Sequence, residues 1–382
     1  MSTDTLLPVY TIIILSILVI GLIFKTVRIP YVVSYLIVGI LLGPYALGLV
    51  TDTVMVEQFE TVGLIFLLFF VGMEISLQEL LNNWKIPVVG TLIQVAITTG
   101  VIFVLGIFLE WKLIRVILIG FVISISSTAV VIKLLHEWNQ HNTHVGRNVI
   151  GVLLVQDIAL IPMIIVLDLM QGESAPVKEI VLQLTGGSLL VIMIAYLLRR
   201  KEVHLPFLNY FKGHKELQIF TALAICFGMA MGTELFKLSP YLGAFVAGIY
   251  VRSTRETDWI HITLEPFYIF FVSIFFVSVG MMLDLKFLVN NWGIIFLLTG
   301  LVFILNTAIN TGMMRLLGET WKESLLGGAM LAQVGEFSFV ILSVGERTGI
   351  VANFTYQTIL ALITVTLILS PAWILFFKRL TR

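Results

Sequence analysis

Charge is what this sequence has least of. Only 12% of its 382 residues are charged, about half the share a soluble domain carries. With 59% hydrophobic residues and a mean hydropathy of +1.04, a soluble globular protein is excluded and a polytopic membrane protein remains. The few charges cancel, 23 of each sign, so neither nucleic acid nor an acidic partner is indicated. One cysteine, Cys226, excludes an intramolecular disulfide. The six histidines, at 136, 141, 144, 204, 214 and 261, fall in loops or at predicted helix ends. No two share ligand spacing inside a helix, which argues against a metal site. A phosphate-binding glycine loop, a nucleophile triad and a nucleotide fingerprint are all missing from the sequence. Their absence argues against an enzyme and against a bound cofactor. The start, MSTDTLLPVYTIII, lacks the basic region and small-residue cleavage site of a signal peptide; it reads as a retained first helix.

What the chain has in abundance is long apolar runs. They predict spans near 6–25, 30–48, 58–75, 86–108, 112–136, 145–169, 177–199, 215–236, 238–251, 262–282, 290–315, 322–346 and 354–377. On that count of about thirteen, 17 of the 23 lysines and arginines fall on the side of the odd-numbered helix ends and the C-terminus. The positive-inside rule then places the C-terminus in the cytoplasm and the N-terminus outside. No linker divides the chain, so residues 1–382 read as a single membrane transport domain.

The sequence also repeats itself. GMEISLQELLNNW (72–84) and GMMLDLKFLVNNW (280–292) match at seven of thirteen positions without a gap, 208 residues apart. Pro30-Tyr31 and Pro240-Tyr241 open corresponding helices, and Pro162 answers Pro371. Seven helices separate equivalent points, and an odd number forces the copies to face opposite ways. The expectation is an inverted-topology repeat, about 6–169 and 215–377, joined by a linking helix at 177–199. In such carriers the substrate sits near the midplane at discontinuous helices.

Two segments predict those discontinuities. SISSTA places Ser124, Ser126, Ser127 and Thr128 in one run, and such residues offer the backbone alternative hydrogen bonds. At the repeat offset lies AQVGEF, where Gly335 meets Ser127 and Glu336 meets Thr128. Serines packed between continuous helices are the plainer alternative; two polar interruptions at matching depth favour broken helices lining a cavity. One carboxylate, Asp157, stands at mid-span in GVLLVQDIALIP. An acid there is costly and marks a functional site. Desolvation favours its neutral form and a cation its charged form, so proton and cation exclude each other. Lys133, a nearby base, lies toward a helix end, where it can reach water. Gln156 is placed to orient Asp157, to offer an oxygen to a cation, or simply to pack. Glu336 is expected either to titrate or to be held by the broken helix's amides. Asn306 and Asn310 share one helix face, suited to interhelical hydrogen bonds.

The set IPYVVSYLIVGILLGP, FLLFFVGMEI, SISSTAVVIKLL, GVLLVQDIALIP, FFVSVGM and LAQVGEFSFV resembles the membrane domain of Kef-type potassium:proton antiporters, of the second monovalent cation:proton antiporter family. The resemblance covers about residues 6–377. It implies an all-α sodium:proton antiporter-like fold with two crossed broken helices, a homodimer in the lipid bilayer of the cell membrane, and elevator-type alternating access. It implies that Asp157 binds the cation and the proton, with Gln156 where electrogenic sodium:proton relatives have a second acid. It implies that Ser127 and Thr128 lie near the ion, with Ser126, Gln333 and Glu336 supporting the crossover. One titrating acid points to electroneutral exchange of K⁺ for H⁺; Na⁺ is the alternative cation. Kef systems carry a cytoplasmic nucleotide-binding regulatory domain, which is not in this chain, so a regulatory domain or subunit is an implied partner. A gated channel is the rival class, disfavoured because pores are lined by rings of carbonyls or charges.

Overall fold

The computed structural model describes residues 6–27, 31–50, 53–74, 85–140, 143–170, 181–182, 185–190, 192–193, 196, 214–253 and 258–381. Every regular element among them is helical. In hydrocarbon no water is at hand for backbone amides, so each segment satisfies its own. The elements are α1 (Leu6–Val27), α2 (Tyr31–Leu42), α3 (Thr53–Glu74), α4 (Gly90–Phe108), α5 (Leu113–Ser124), α6 (Thr128–Glu137), α7 (His144–Met170), α8 (Lys215–Leu235), α9 (Pro240–Arg252), α10 (Asp258–Met281), α11 (Leu285–Asn290), α12 (Trp292–Leu316), α13 (Trp321–Met330), α14 (Ser338–Arg347) and α15 (Asn353–Leu380). A π-helical turn, Lys85–Val89, leads into α4 and holds Pro87, whose missing N–H is tolerated at a helix start. The linking helix expected at 177–199 falls largely outside the described residues, as does 75–84 of the first repeat motif; the described residues between 181 and 196 are mostly helical.

Among the described residues, six helical stretches are long and apolar enough to cross a membrane: Lys85–Phe108, His144–Met170, Glu216–Leu235, Leu264–Met281, Trp292–Leu316 and Asn353–Leu380. Shorter apolar helices include Tyr31–Leu42 and Leu113–Ser124. The span expected at 112–136 is broken at 125–127, and the span at 322–346 at 331–337. Asp284 caps α11: its Oδ1 accepts from the amides of Lys286 at 2.8 Å and Phe287 at 3.1 Å.

The chain forms two compact units, residues 1–53, 80–167 and 276–382, and residues 54–79 and 168–275. In the first, α2 packs on the end of α10 through glycines. A Cβ on Gly39 would meet the Val277 carbonyl at 2.0 Å, and one on Gly280 the Leu36 carbonyl at 2.2 Å. In the second, α3 and α9 meet in the same way. A Cβ on Gly72 would meet the Phe245 carbonyl at 2.2 Å, and one on Gly248 the Phe69 carbonyl at 2.0 Å. Small residues let membrane helices approach backbone to backbone, where van der Waals packing is the main attraction. Phe66 stacks on Phe271 at 4.1 Å within the second unit. The first unit holds both breaks and the long helices α7, α12 and α15 that surround them.

Candidate ion site at two crossed breaks

A helix that stops inside a membrane strands its last four carbonyls. At the end of α5 each finds a donor. The Phe121 carbonyl accepts from Ser124 Oγ (2.9 Å), Val122 from Ser338 Oγ (2.7 Å), Ile123 from Asn306 Nδ2 (2.9 Å) and Ser124 from Gln94 Nε2 (2.8 Å). The next carbonyl, of Ile125, accepts from the Gly335 amide at 2.7 Å. That bond is where the breaks cross. Only glycine fits at 335, since a Cβ there would lie 2.4 Å from the Ser126 carbonyl. The Ser127 carbonyl accepts from Gln333 Nε2 at 3.4 Å, and the Ser127 hydroxyl accepts from the Val130 amide at the start of α6.

The second break shares one of these side chains, Asn306, and adds Ser126 and Asn310. Ser126 Oγ donates to the Leu331 carbonyl at 2.8 Å, and Asn310 Nδ2 to the same oxygen at 3.3 Å. Asn306 Nδ2 also reaches the Ala332 carbonyl at 3.1 Å. Asn306 therefore ties both breaks to α12. The Oδ1 atoms of Asn306 and Asn310 and Oε1 of Gln333 are buried without a hydrogen-bond partner among the described residues.

Asp157 comes up to the first break from α7. It is 4% exposed, and Thr128 Oγ1, at the first residue of α6, donates to its Oδ1 and Oδ2 at 3.2 and 3.0 Å. Gln156 points elsewhere. Its Oε1 accepts from the Ser126 amide at 3.0 Å and its Nε2 donates to Gln94 Oε1 at 2.6 Å. These bonds hold the break, a role outside the three expected for Gln156. Glu336 is buried within the second break, 5% exposed. The structure thus gathers Asp157, Gln156, Ser126, Ser127, Thr128, Gln333 and Glu336 around one crossing. Lys133 lies in α6, with a side chain outside the described set.

Sequence reasoning missed Gln94. A glutamine in the apolar run TLIQVAITT was a visible signal, but nothing in the sequence said that it faced Gln156 and the end of α5. It also missed Ser338, which satisfies the Val122 carbonyl.

Two broken helices crossed beside the buried acids Asp157 and Glu336 define an architecture of the sodium:proton antiporter kind. The family model for the transmembrane sodium/hydrogen exchanger matches residues 12–377, and the chain belongs to that family. It is similar, at 32% identity over 356 residues, to the iron transporter MagA of Paramagnetospirillum magneticum, covering 92% of this chain and 81% of that protein. It is similar at 30% over 359 residues to the K(+) efflux antiporter 5 of Arabidopsis thaliana, and at 29% over 362 residues to the putative cation/proton antiporter YbaL of Escherichia coli. These alignments each cover 92% of this chain but only 63% and 65% of those relatives. Among solved structures, the sodium proton antiporter MjNhaP1 of Methanocaldococcus jannaschii superposes with a TM-score of 0.68 at 16% identity, covering 98% of this chain and 99% of that one.

Proposed function

We propose that this chain is a secondary active monovalent cation:proton antiporter that exchanges K⁺ for H⁺ electroneutrally, with Asp157 taking either ion in turn. The observation that carries the reading is the buried Asp157 carboxylate bonded to Thr128 at the edge of a helix break. A carboxylate there has one negative charge to neutralise, and one proton or one monovalent cation does it. The buried Oε1 of Gln333 and the hydroxyl oxygen of Thr128 supply neutral ligands suited to a hard alkali cation. Gln156, engaged with the Ser126 amide and Gln94, contributes no second charge. All these residues belong to one compact unit, which suits an elevator-type step in which a unit carries its ion as a body. A homodimer is part of the same reading.

Relatives are named for potassium, for cations generally and for iron, so the test ranks cations directly. Purified protein in proteoliposomes with an internal pH dye is challenged with K⁺, Na⁺, Rb⁺, Li⁺ and Fe²⁺. K⁺ is expected to drive the largest proton movement, unchanged when a membrane-potential probe reports clamped voltage. Asp157→Asn is expected to lower cation-driven proton movement at least a hundredfold while remaining folded. Ordinary exchange by that variant overturns the reading. Preference for Na⁺ replaces the cation and leaves the mechanism.

A further inference from the structure

His144, Glu319 and Glu323 meet where α7 and α13 begin. His144 Nδ1 lies 3.0 Å from Glu319 Oε2, and all three residues offer ligand atoms within 4.8 Å of one another. Ligands about 2.1 Å from an octahedral metal stand about 3.0 Å apart along an edge and about 4.2 Å across. His144 and Glu319 already stand at an edge distance, and side-chain rotation of the glutamates closes the remaining separations, all within 4.8 Å. The spacing in sequence hid it, because the imidazole and the carboxylates come from distant helices.

The carboxylates are already oriented. Asn148 Nδ2 donates to Glu319 Oε1 at 2.8 Å. Thr320 donates to Glu323 Oε2 through its hydroxyl at 2.7 Å and its amide at 3.3 Å, as part of the capping box of α13. Outer partners of this kind hold metal-ligating carboxylates in place. The Glu319 side chain is 6% exposed and that of His144 60%, so a buried acid faces a ligand reachable from water. Arg315 spends its guanidinium on the Glu319 backbone carbonyl at 2.8 Å and on the face of Trp321.

We propose that His144, Glu319 and Glu323 bind a first-row divalent transition-metal ion that bridges the beginnings of α7 and α13. One imidazole with two carboxylates fits Zn²⁺, Co²⁺ or Mn²⁺ better than an alkali cation or a purely oxygen-seeking one. Thirteen residues, about 20 Å of helix, separate His144 from Asp157, so the site is distinct from the crossing and stands whatever Asp157 carries.

The test is titration of the purified, metal-stripped full chain in detergent with Co²⁺, followed by visible absorption, and with Zn²⁺ by calorimetry. One ion per chain at micromolar affinity is expected, with a rise in melting temperature on binding. His144→Ala and Glu323→Gln are each expected to weaken binding at least tenfold. Glu323→Gln keeps a side chain that can complete the capping box, and His144 is exposed, so both variants fold. Glu319→Gln is expected to remove binding altogether. No stoichiometric binding by the unaltered chain, or affinity as tight as the unaltered chain's in either His144→Ala or Glu323→Gln, overturns the proposal.

Discussion

α7 and α15 are both long apolar helices with one internal proline, Pro162 and Pro371. Their mid-helix polar residues behave oppositely. On α7, Gln156 and Asp157 reach outward, to Ser126, Gln94 and Thr128. On α15, Thr364 and Thr366 turn back to carbonyls of their own helix, Leu360 and Ile363, each at 2.9 Å. Between them stands Val365, where the repeat read from the sequence would place an acid. A threonine that bonds within its own helix asks nothing of its neighbours; a carboxylate without a covalent neighbour to satisfy it must find one across space. The difference teaches that two similar helices can be made unequal by where a few hydrogen bonds are directed.

Five variants probe that inequality, from the largest effect to the smallest. Placing the acid on the other helix, Val365→Asp with Asp157→Asn, is expected to leave exchange abolished, since at the repeat offset Glu336, not a hydroxyl, answers Thr128; recovery of proton flux would make the helices interchangeable. Gln156→Leu strands the buried Ser126 amide and loses the Gln94 bond, at a cost of about 3 kcal/mol. A fall in melting temperature in detergent reads that loss, and an unchanged melting curve would mean the break is held without it. Thr128→Val removes one hydrogen bond to a buried charge, about 1.5 kcal/mol, or roughly a tenfold rise in the cation concentration giving half-maximal proton flux. Thr364→Val and Thr366→Val are expected to change stability by no more than about 0.5 kcal/mol and to leave flux intact.

Much of this arrangement was legible in the sequence. SISSTA and AQVGEF announced breaks because serines and a glycine interrupt runs that are otherwise uniformly apolar. Asp157 stood out because an acid in such a run is rare. Directions were not legible. A helix apolar on every side gives no stripe to say which face meets protein, so the partners of Gln94, Asn306 and Ser338 depended on three-dimensional packing. The meeting of His144 with Glu319 was hidden for another reason. Each residue alone reads as a wet helix end, and only the fold sets them 3.0 Å apart.

The bond from the Gly335 amide to the Ile125 carbonyl has a consequence for how the chain is made. Its donor is synthesised 210 residues after its acceptor. At ribosomal rates of about 5 to 20 residues per second, the first break waits roughly 10 to 40 s in the membrane before its counterpart exists. During that wait the carbonyls of Val122, Ile123 and Ile125 lack the donors that Ser338, Asn306 and Gly335 later bring. Gln156, made early and close by, can steady the Ser126 amide meanwhile. Biogenesis therefore has a vulnerable interval whose length is set by the distance between two halves of the gene. Truncation anywhere before α13 would leave that interval permanently open.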